Sequence, residues 1–244
     1  MWQNSNWRNW DLIIKLDPDK KIPSELLEQI IFSPSVDGVF VGGTQNITRR
    51  NTEDLIWQVK NTGYSGPLIQ EISELEAVSF NVDGYLLPVV LNTRERDWFI
   101  GKHLEAVKAF GHIIDWSLIL PEAYVICNPH CAAAQRTQAI APSLDDLMAY
   151  LTLVEEVYCL PIIYLEYSGI YGNADWLKAI REQQPKTQVF YGGGIRSFLQ
   201  AEEMMSLADT VVLGNIVYEN PKETIEILEK LLIAKNLRFQ KNTE

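Results

Sequence analysis

The chain is short of positive charge and has no run of it. Its 244 residues carry 21 Lys and Arg against 32 Asp and Glu, a formal net charge of −11. An acidic surface of that size repels phosphate backbones, so no nucleic-acid partner is expected. Cysteine is equally scarce, and three cannot all pair, so no disulfide framework holds the fold and a reduced, cytoplasmic setting is expected. No apolar run approaches the roughly 18 residues that span a bilayer. The segment Leu86-Leu87-Pro88-Val89-Val90-Leu91 is among the longest. Met1-Trp2-Gln3-Asn4-Ser5 lacks the basic and apolar regions of a secretory signal. Contact with lipid would therefore be peripheral at most. Linkers, repeats and low-complexity tracts are also missing, which predicts one domain over residues 1–244, with a core of about 10–235 and loose ends near 1–9 and 236–244.

What is present is alternation. Short apolar, β-branched runs predict strands at Leu12–Leu16, Val39–Val41, Leu68–Ile72, Tyr85–Leu91, Tyr124–Cys127, Ile162–Tyr167, Val189–Tyr191 and Thr210–Leu213. Most lack polar alternation, the pattern of parallel strands covered on both faces. Helical spacing falls between them, at Ser24–Phe32, Thr48–Asn61, Asp97–Phe110, Ser143–Tyr158, Ala174–Gln184, Ser197–Leu207 and Pro221–Lys235. Ser143 and Ser197 stand where N-caps are wanted, and Pro221 suits a first helical position. Eight such units in about 250 residues predict a TIM (β/α)8 barrel. Only a dozen or so residues separate Ile72 from Tyr85, so the third helix is expected to be short or missing. A doubly wound sheet would place its glycine-rich loop after the first strand, and here that loop comes late.

In such a barrel the chemistry collects at strand ends. Tyr191-Gly192-Gly193-Gly194-Ile195 and Leu213-Gly214-Asn215 close the last two strands. Glycines admit an anion close to the backbone, and the loops after strands seven and eight are where barrels hold phosphate; a plain tight turn is the alternative. Lys15 and Asp17 lie two apart on the first strand and would share one corner of the mouth. Asp17 with the hydroxyl of Thr44 could form part of a hard-cation shell, or Asp17 could pair with Lys15. Glu166, directly after an apolar strand, would be desolvated toward the range of a general base, or be paired to a neighbouring donor. Cys127-Asn128-Pro129-His130-Cys131 lacks the second ligand pair that structural zinc requires. Trp98 and Phe99 could wall a groove.

The segments Lys15-Leu16-Asp17-Pro18, Val41-Gly42-Gly43-Thr44, Glu71-Ile72-Ser73, Pro88-Val89-Val90-Leu91-Asn92, Tyr164-Leu165-Glu166-Tyr167-Ser168-Gly169, Tyr191-Gly192-Gly193-Gly194-Ile195 and Gly214-Asn215 together resemble the geranylgeranylglyceryl/heptaprenylglyceryl phosphate synthase family. The likeness runs in order from about Trp10 to Leu232, and Glu-Tyr-Ser-Gly is most similar to the bacterial heptaprenylglyceryl members. The resemblance implies a prenyltransferase that joins sn-glycerol 1-phosphate to a polyprenyl diphosphate, with Mg2+ as cofactor and a homodimer as the assembly. It implies that Lys15, Tyr164, Leu165, Glu166, Tyr167, Ser168, Gly169, Gly194, Gly214 and Asn215 bind glycerol phosphate, and that Asp17 and Thr44 hold Mg2+. Glu166 is the expected proton acceptor. Ala123 replaces a usual glycine, and the terminal Trp2 and Trp7 fall outside the motifs. The rivals are a sugar-phosphate isomerase or aldolase, which needs no long apolar groove, and a non-catalytic phosphate-binding protein.

Overall fold

Largely apolar runs bury both faces of most strands, and the chain meets that demand by closing its sheet on itself. A computed structural model of the protein describes residues 6–241. Eight parallel strands form a closed barrel in chain order: β1 (Leu12–Leu16), β2 (Gly38–Val41), β3 (Leu68–Glu71), β4 (Gly84–Val90), β5 (Ile119–Ile126), β6 (Ile162–Glu166), β7 (Gln188–Gly192) and β8 (Thr210–Leu213). Closure is made by β8 on β1, with Ile13 opposite Val212. The outer layer holds α1 (Ser24–Ile31), α2 (Arg49–Asn61), α3 (Lys102–Phe110), α4 (Ala132–Thr137), α5 (Leu144–Thr152), α6 (Ala174–Glu182), α7 (Phe198–Met205), α8 (Ile216–Glu219) and α9 (Pro221–Lys241). The expected TIM barrel is present.

The third unit has no α-helix, only a single turn at Leu75–Ala77. Its place is held by Gln70, whose buried side chain donates to the Ala77 carbonyl and accepts from the Ser79 amide, at 2.8 and 2.9 Å. Elsewhere the caps form as expected: Ser143 accepts from the Asp146 amide and Ser197 from the Gln200 amide. Two long helical patterns change pitch within their length. Asp97–Gly101 and Leu153–Tyr158 are π-helical, the first opening α3 and the second extending α5. β5 begins five residues before the expected Tyr124, because Pro121 and Glu122 mask its first half as a strand signal.

Strand alternation splits the core in two. Leu12, Ile14, Leu16, Val125, Leu165 and Leu213 pack outward against the helices, whereas Ile13, Phe40, Ile69, Leu86, Phe190 and Val212 fill the barrel interior. Trp7 and Trp10 plug the N-terminal end, with ring centres 6.5 Å from Phe190 and 6.2 Å from Phe40. Parts of the expected loose ends fall within the described residues and are ordered into elements. Trp7–Asn9 forms a short 3-10 turn with Trp7 buried, and α9 runs in helix to Lys241. Met1–Ser5, with Trp2 and the segment judged for a secretory signal, and residues 242–244 lie outside the described residues.

Candidate active site

At the open end the interior changes from apolar to charged. Lys15 points inward and donates to both oxygens of Glu71 at 2.7 Å. Its partner is Glu71, not the Asp17 that its spacing suggested. Burial lowers the basicity of the Lys15 ammonium, but the carboxylates of Glu71, Glu166 and Glu122 outweigh it, and its pKa is raised overall. Glu166 ends β6 beside this pair. Its Oε2 accepts from the Tyr124 hydroxyl at 2.5 Å and its Oε1 from the Ser168 amide at 2.6 Å. Desolvation raises the pKa of Glu166 above its ordinary value of 4.5, with Lys15 and the Tyr124 bond opposing. Below them Glu122 is fully buried with no hydrogen bond to either oxygen, and burial, then Glu71, drives its pKa well above 4.5.

Above this layer opens a cavity of about 280 Å³. Lys15, Asp17, Thr44, Tyr164, Glu166, Ser168, Gly169, Gly194, Gly214 and Asn215 all line it. Leu165 and Tyr167 do not: strand alternation turns their side chains into the outer core. The glycine run after β7 serves loop packing as well as the cavity. Gly194 has φ +62°, and a Cβ there would collide with the Ile170 backbone, so the loops after β6 and β7 lie in direct contact. At Gly214 a Cβ would meet nothing closer than the Lys15 carbonyl at 3.9 Å, so its missing side chain leaves open space in the cavity. Asn215 accepts from Lys20 Nζ at 2.7 Å and donates to Ser168 Oγ at 3.4 Å. Amide-bearing loops, a hydroxyl and Lys20 thus converge where an anion would sit.

Asp17 is held by the Tyr218 hydroxyl, which accepts from its amide at 2.8 Å, and its Oδ1 accepts from the Asp19 amide at 3.0 Å. A Cβ at Gly43 would collide with that carboxylate, so only glycine lets the loop before Thr44 approach it. Burial raises the pKa of Asp17, with the Asp19 amide, Lys20 and Lys15 opposing. Among the described residues no three His, Cys, Asp or Glu side chains gather into a metal cluster. A cation such as Mg2+, which takes one or two carboxylates and completes its shell from substrate phosphate and water, needs no more than Asp17 with Thr44 beside it.

A second cavity, of about 230 Å³, adjoins the first. Gly43, Thr44, Tyr124 and Ala133 line both. Leu75, Leu87, Pro88, Val90, Trp98 and Ala106 make its walls largely apolar. Trp98 is the wall expected of it, whereas Phe99 stacks edge-on against Tyr158 instead. His103 is held to the Pro88 carbonyl at 3.1 Å, and burial lowers its pKa.

Tyr124, Glu122 and the Lys15–Glu71 pairing were invisible in the linear motifs, since each depends on barrel register. The polar residues Asn92 and Asn128 are structural: Asn92 bonds to Ile126 and Ile140, and Asn128 donates to the Ser168 carbonyl at 2.6 Å. Cys131 caps α4 through the Ala134 amide, and Cys127 packs in the outer core. Among the described residues no helix is long and apolar enough to cross a membrane.

Comparison with known proteins agrees with this geometry. The chain is 44% identical over 219 residues to heptaprenylglyceryl phosphate synthase of Geobacillus sp. (strain WCH70), covering 89% of this chain and 95% of that one. It is 42% identical to the Lysinibacillus sphaericus protein of that name, over 90% and 95% of the two chains. Among solved structures it matches (S)-3-O-geranylgeranylglyceryl phosphate synthase from Thermoplasma acidophilum in complex with sn-glycerol-1-phosphate, with TM-score 0.75 and 22% identity over 90% of this chain and 93% of that one. Wild-type GGGPS from Thermoplasma volcanium aligns with TM-score 0.78 and 21% identity, over 92% of each chain. An aldolase, QR15, shares only the fold, with TM-score 0.54 and 13% identity over 95% of this chain and 98% of that one. A model described as the PcrB family matches residues 5–232, so the barrel with its paired cavities belongs to a member of the PcrB family.

Proposed function

We propose that the chain transfers a polyprenyl group from its diphosphate to sn-glycerol 1-phosphate, forming an ether and releasing diphosphate. The observation that carries this reading is the joining of a polar, glycine-lined cavity to an apolar groove at Tyr124, with Glu166 buried beside the junction. The curated relatives named heptaprenylglyceryl phosphate synthase support it over the isomerase or aldolase alternative, which has no use for the groove.

The loops after β6, β7 and β8 hold the glycerol phosphate, with Ser168, Gly194, Gly214 and Asn215 around its phosphate. Fixed there, one hydroxyl is directed at the first carbon of the prenyl chain. The new C–O bond forms as the bond to diphosphate breaks and its electron pair leaves with the diphosphate. Glu166 accepts the hydroxyl proton, and the Tyr124 hydroxyl and Ser168 amide keep its carboxylate aimed. Lys15 adds positive potential while Glu71 holds it in place. Asp17 and Thr44 are the residues that would hold Mg2+, which when bound supplies charge neutralisation for the leaving diphosphate. Gathering the tail into the groove is worth about 0.8 kcal/mol per buried CH2. Heptaprenyl is the proposed chain length, following the names of the relatives.

A homodimer and a cytoplasmic location with at most peripheral membrane contact complete the proposal. Support for the dimer is α3, which buries none of its residues and exposes Leu104, Val107 and Phe110. Support for the location is three free cysteines. The test is incubation with labelled sn-glycerol 1-phosphate, Mg2+ and a ladder of prenyl diphosphates. Label extracted into organic solvent, with a maximum at one chain length, is the expected result; no transfer with any chain would overturn the reading.

A further inference from the structure

Three charged side chains, Glu74, Lys102 and Arg136, line the second cavity, and the mechanism above uses none of them. Arg136 from α4 and Lys102 from the start of α3 both sit over the Trp98 ring, 5.2 and 3.8 Å from its centre. Arg136 donates to the Thr44 backbone carbonyl and forms an ion pair with Glu74. Lys102 reaches the other oxygen of Glu74 at 3.7 Å. One carboxylate therefore serves two cations. Glu74 is the most enclosed of the three, with 19% of its side chain exposed against 33% for Arg136 and 41% for Lys102. The remaining rim carboxylates of the groove, Glu76, Asp97 and Glu105, are exposed to solvent, and Glu71 is taken by Lys15.

Position gives this cluster its meaning. The reacting carbon must lie near Glu166 and Tyr124, at the boundary shared by both cavities, and the diphosphate is attached to that carbon. The diphosphate therefore lies at the same boundary, which Thr44 lines and on which Arg136 is anchored. Asp17 stands on the phosphate-cavity side of Thr44, and Arg136 and Lys102 on the groove side. A diphosphate ester carries several negative charges and many acceptor oxygens, and a planar guanidinium with a nearby ammonium matches it well.

We infer that Arg136 and Lys102 form a clamp for the diphosphate group of the prenyl substrate, with Glu74 as the counter-ion that occupies the clamp when diphosphate is absent. Trp98 orients both cations by stacking beneath them. Glu74 competes with the ligand, so it speeds diphosphate departure after transfer. This inference rests on the prenyltransferase reading and adds the residues that recognise its leaving group.

The test is calorimetric titration of inorganic diphosphate into the full chain already saturated with sn-glycerol 1-phosphate, with and without Mg2+. Arg136→Met and Lys102→Met are each expected to weaken diphosphate binding about tenfold, and the double variant about a hundredfold, with glycerol phosphate affinity unchanged. Glu74→Gln is expected to tighten it by about threefold. Opposite signs separate a clamp from a merely structural ion-pair cluster, in which all of these variants would act in the same direction. Unchanged diphosphate affinity in the double variant, or Glu74→Gln weakening it as Arg136→Met does, would overturn the clamp. Prenyl transfer by the unaltered chain is measured in parallel: transfer with an unchanged KM for prenyl diphosphate in the variants removes the clamp and leaves the transferase, whereas no transfer by any chain length removes the transferase itself.

Discussion

At one end of the barrel Trp7 and Trp10 pack at an angle against Phe190 and Phe40; at the other, two residues further along neighbouring strands, Ile13 gives way to Lys15 and Ile69 to Glu71. The closed end is filled by buried aromatic rings. In the open end lie an ammonium and three carboxylates, Glu71, Glu122 and Glu166, in a space from which water is largely withdrawn. Buried charges cost stability unless paired and hydrogen-bonded, so the aromatic plug and the outer apolar layer must offset what the open end costs. A TIM barrel thus separates along its axis what holds it together from what it does.

Substitutions at the two ends should accordingly fail in different measurements. The largest effect is expected from Glu166→Gln, which removes the proposed proton acceptor but keeps the volume and the bond from the Ser168 amide. Transfer should fall about 10³-fold while thermal unfolding shifts little; a variant with near-normal turnover would end the assignment of Glu166 as base. At the closed end Trp7→Ala should lower unfolding free energy by about 3 kcal/mol in denaturant titration, with kcat of the folded fraction unchanged. A loss of kcat there would show that the two ends are coupled.

Gly194→Ala tests the contact between the loops after β6 and β7. An L side chain at φ +62° against the Ile170 backbone should weaken glycerol phosphate binding by about 1–3 kcal/mol while prenyl diphosphate binding persists. The smallest effects are pH effects. If Glu166 is the base it must be ionised to accept a proton, and since burial raises its pKa, transfer should rise with pH through a midpoint above 4.5. Glu122 has a folded pKa well above its ordinary 4.5, so its contribution to stability is fully present below 4.5 and is lost as pH rises through the folded value. Glu122→Gln should therefore match the parent in acid and gain in melting temperature relative to it as pH increases.

Much of this was legible in the chain. β1 and β8 fall where the apolar runs place them, and the missing third helix follows from the short spacing between Ile72 and Tyr85. The strand-end residues Lys15, Asp17, Thr44 and Glu166 meet around one cavity because parallel strands of a closed barrel all end on the same side. What stayed hidden depends on register and alternation. Tyr124 meets Glu166 only because β5 and β6 pair Tyr124 with Tyr164 and Ile126 with Glu166. Leu165 and Tyr167 sit inside the motif yet face outward, since a contiguous sequence segment cannot present every side chain to one face of a strand. Arg136 and Lys102 carry no motif at all, and it is the fold that places both on Trp98.

A crystal structure of the protein with sn-glycerol 1-phosphate would examine the division between the two ends most directly. The phosphate should lie against Gly194, Gly214 and Asn215, with a glycerol hydroxyl within about 3.2 Å of a Glu166 carboxylate oxygen. Glycerol phosphate bound away from these loops, or with every hydroxyl out of reach of Glu166, would contradict the placement of the chemistry at the open end.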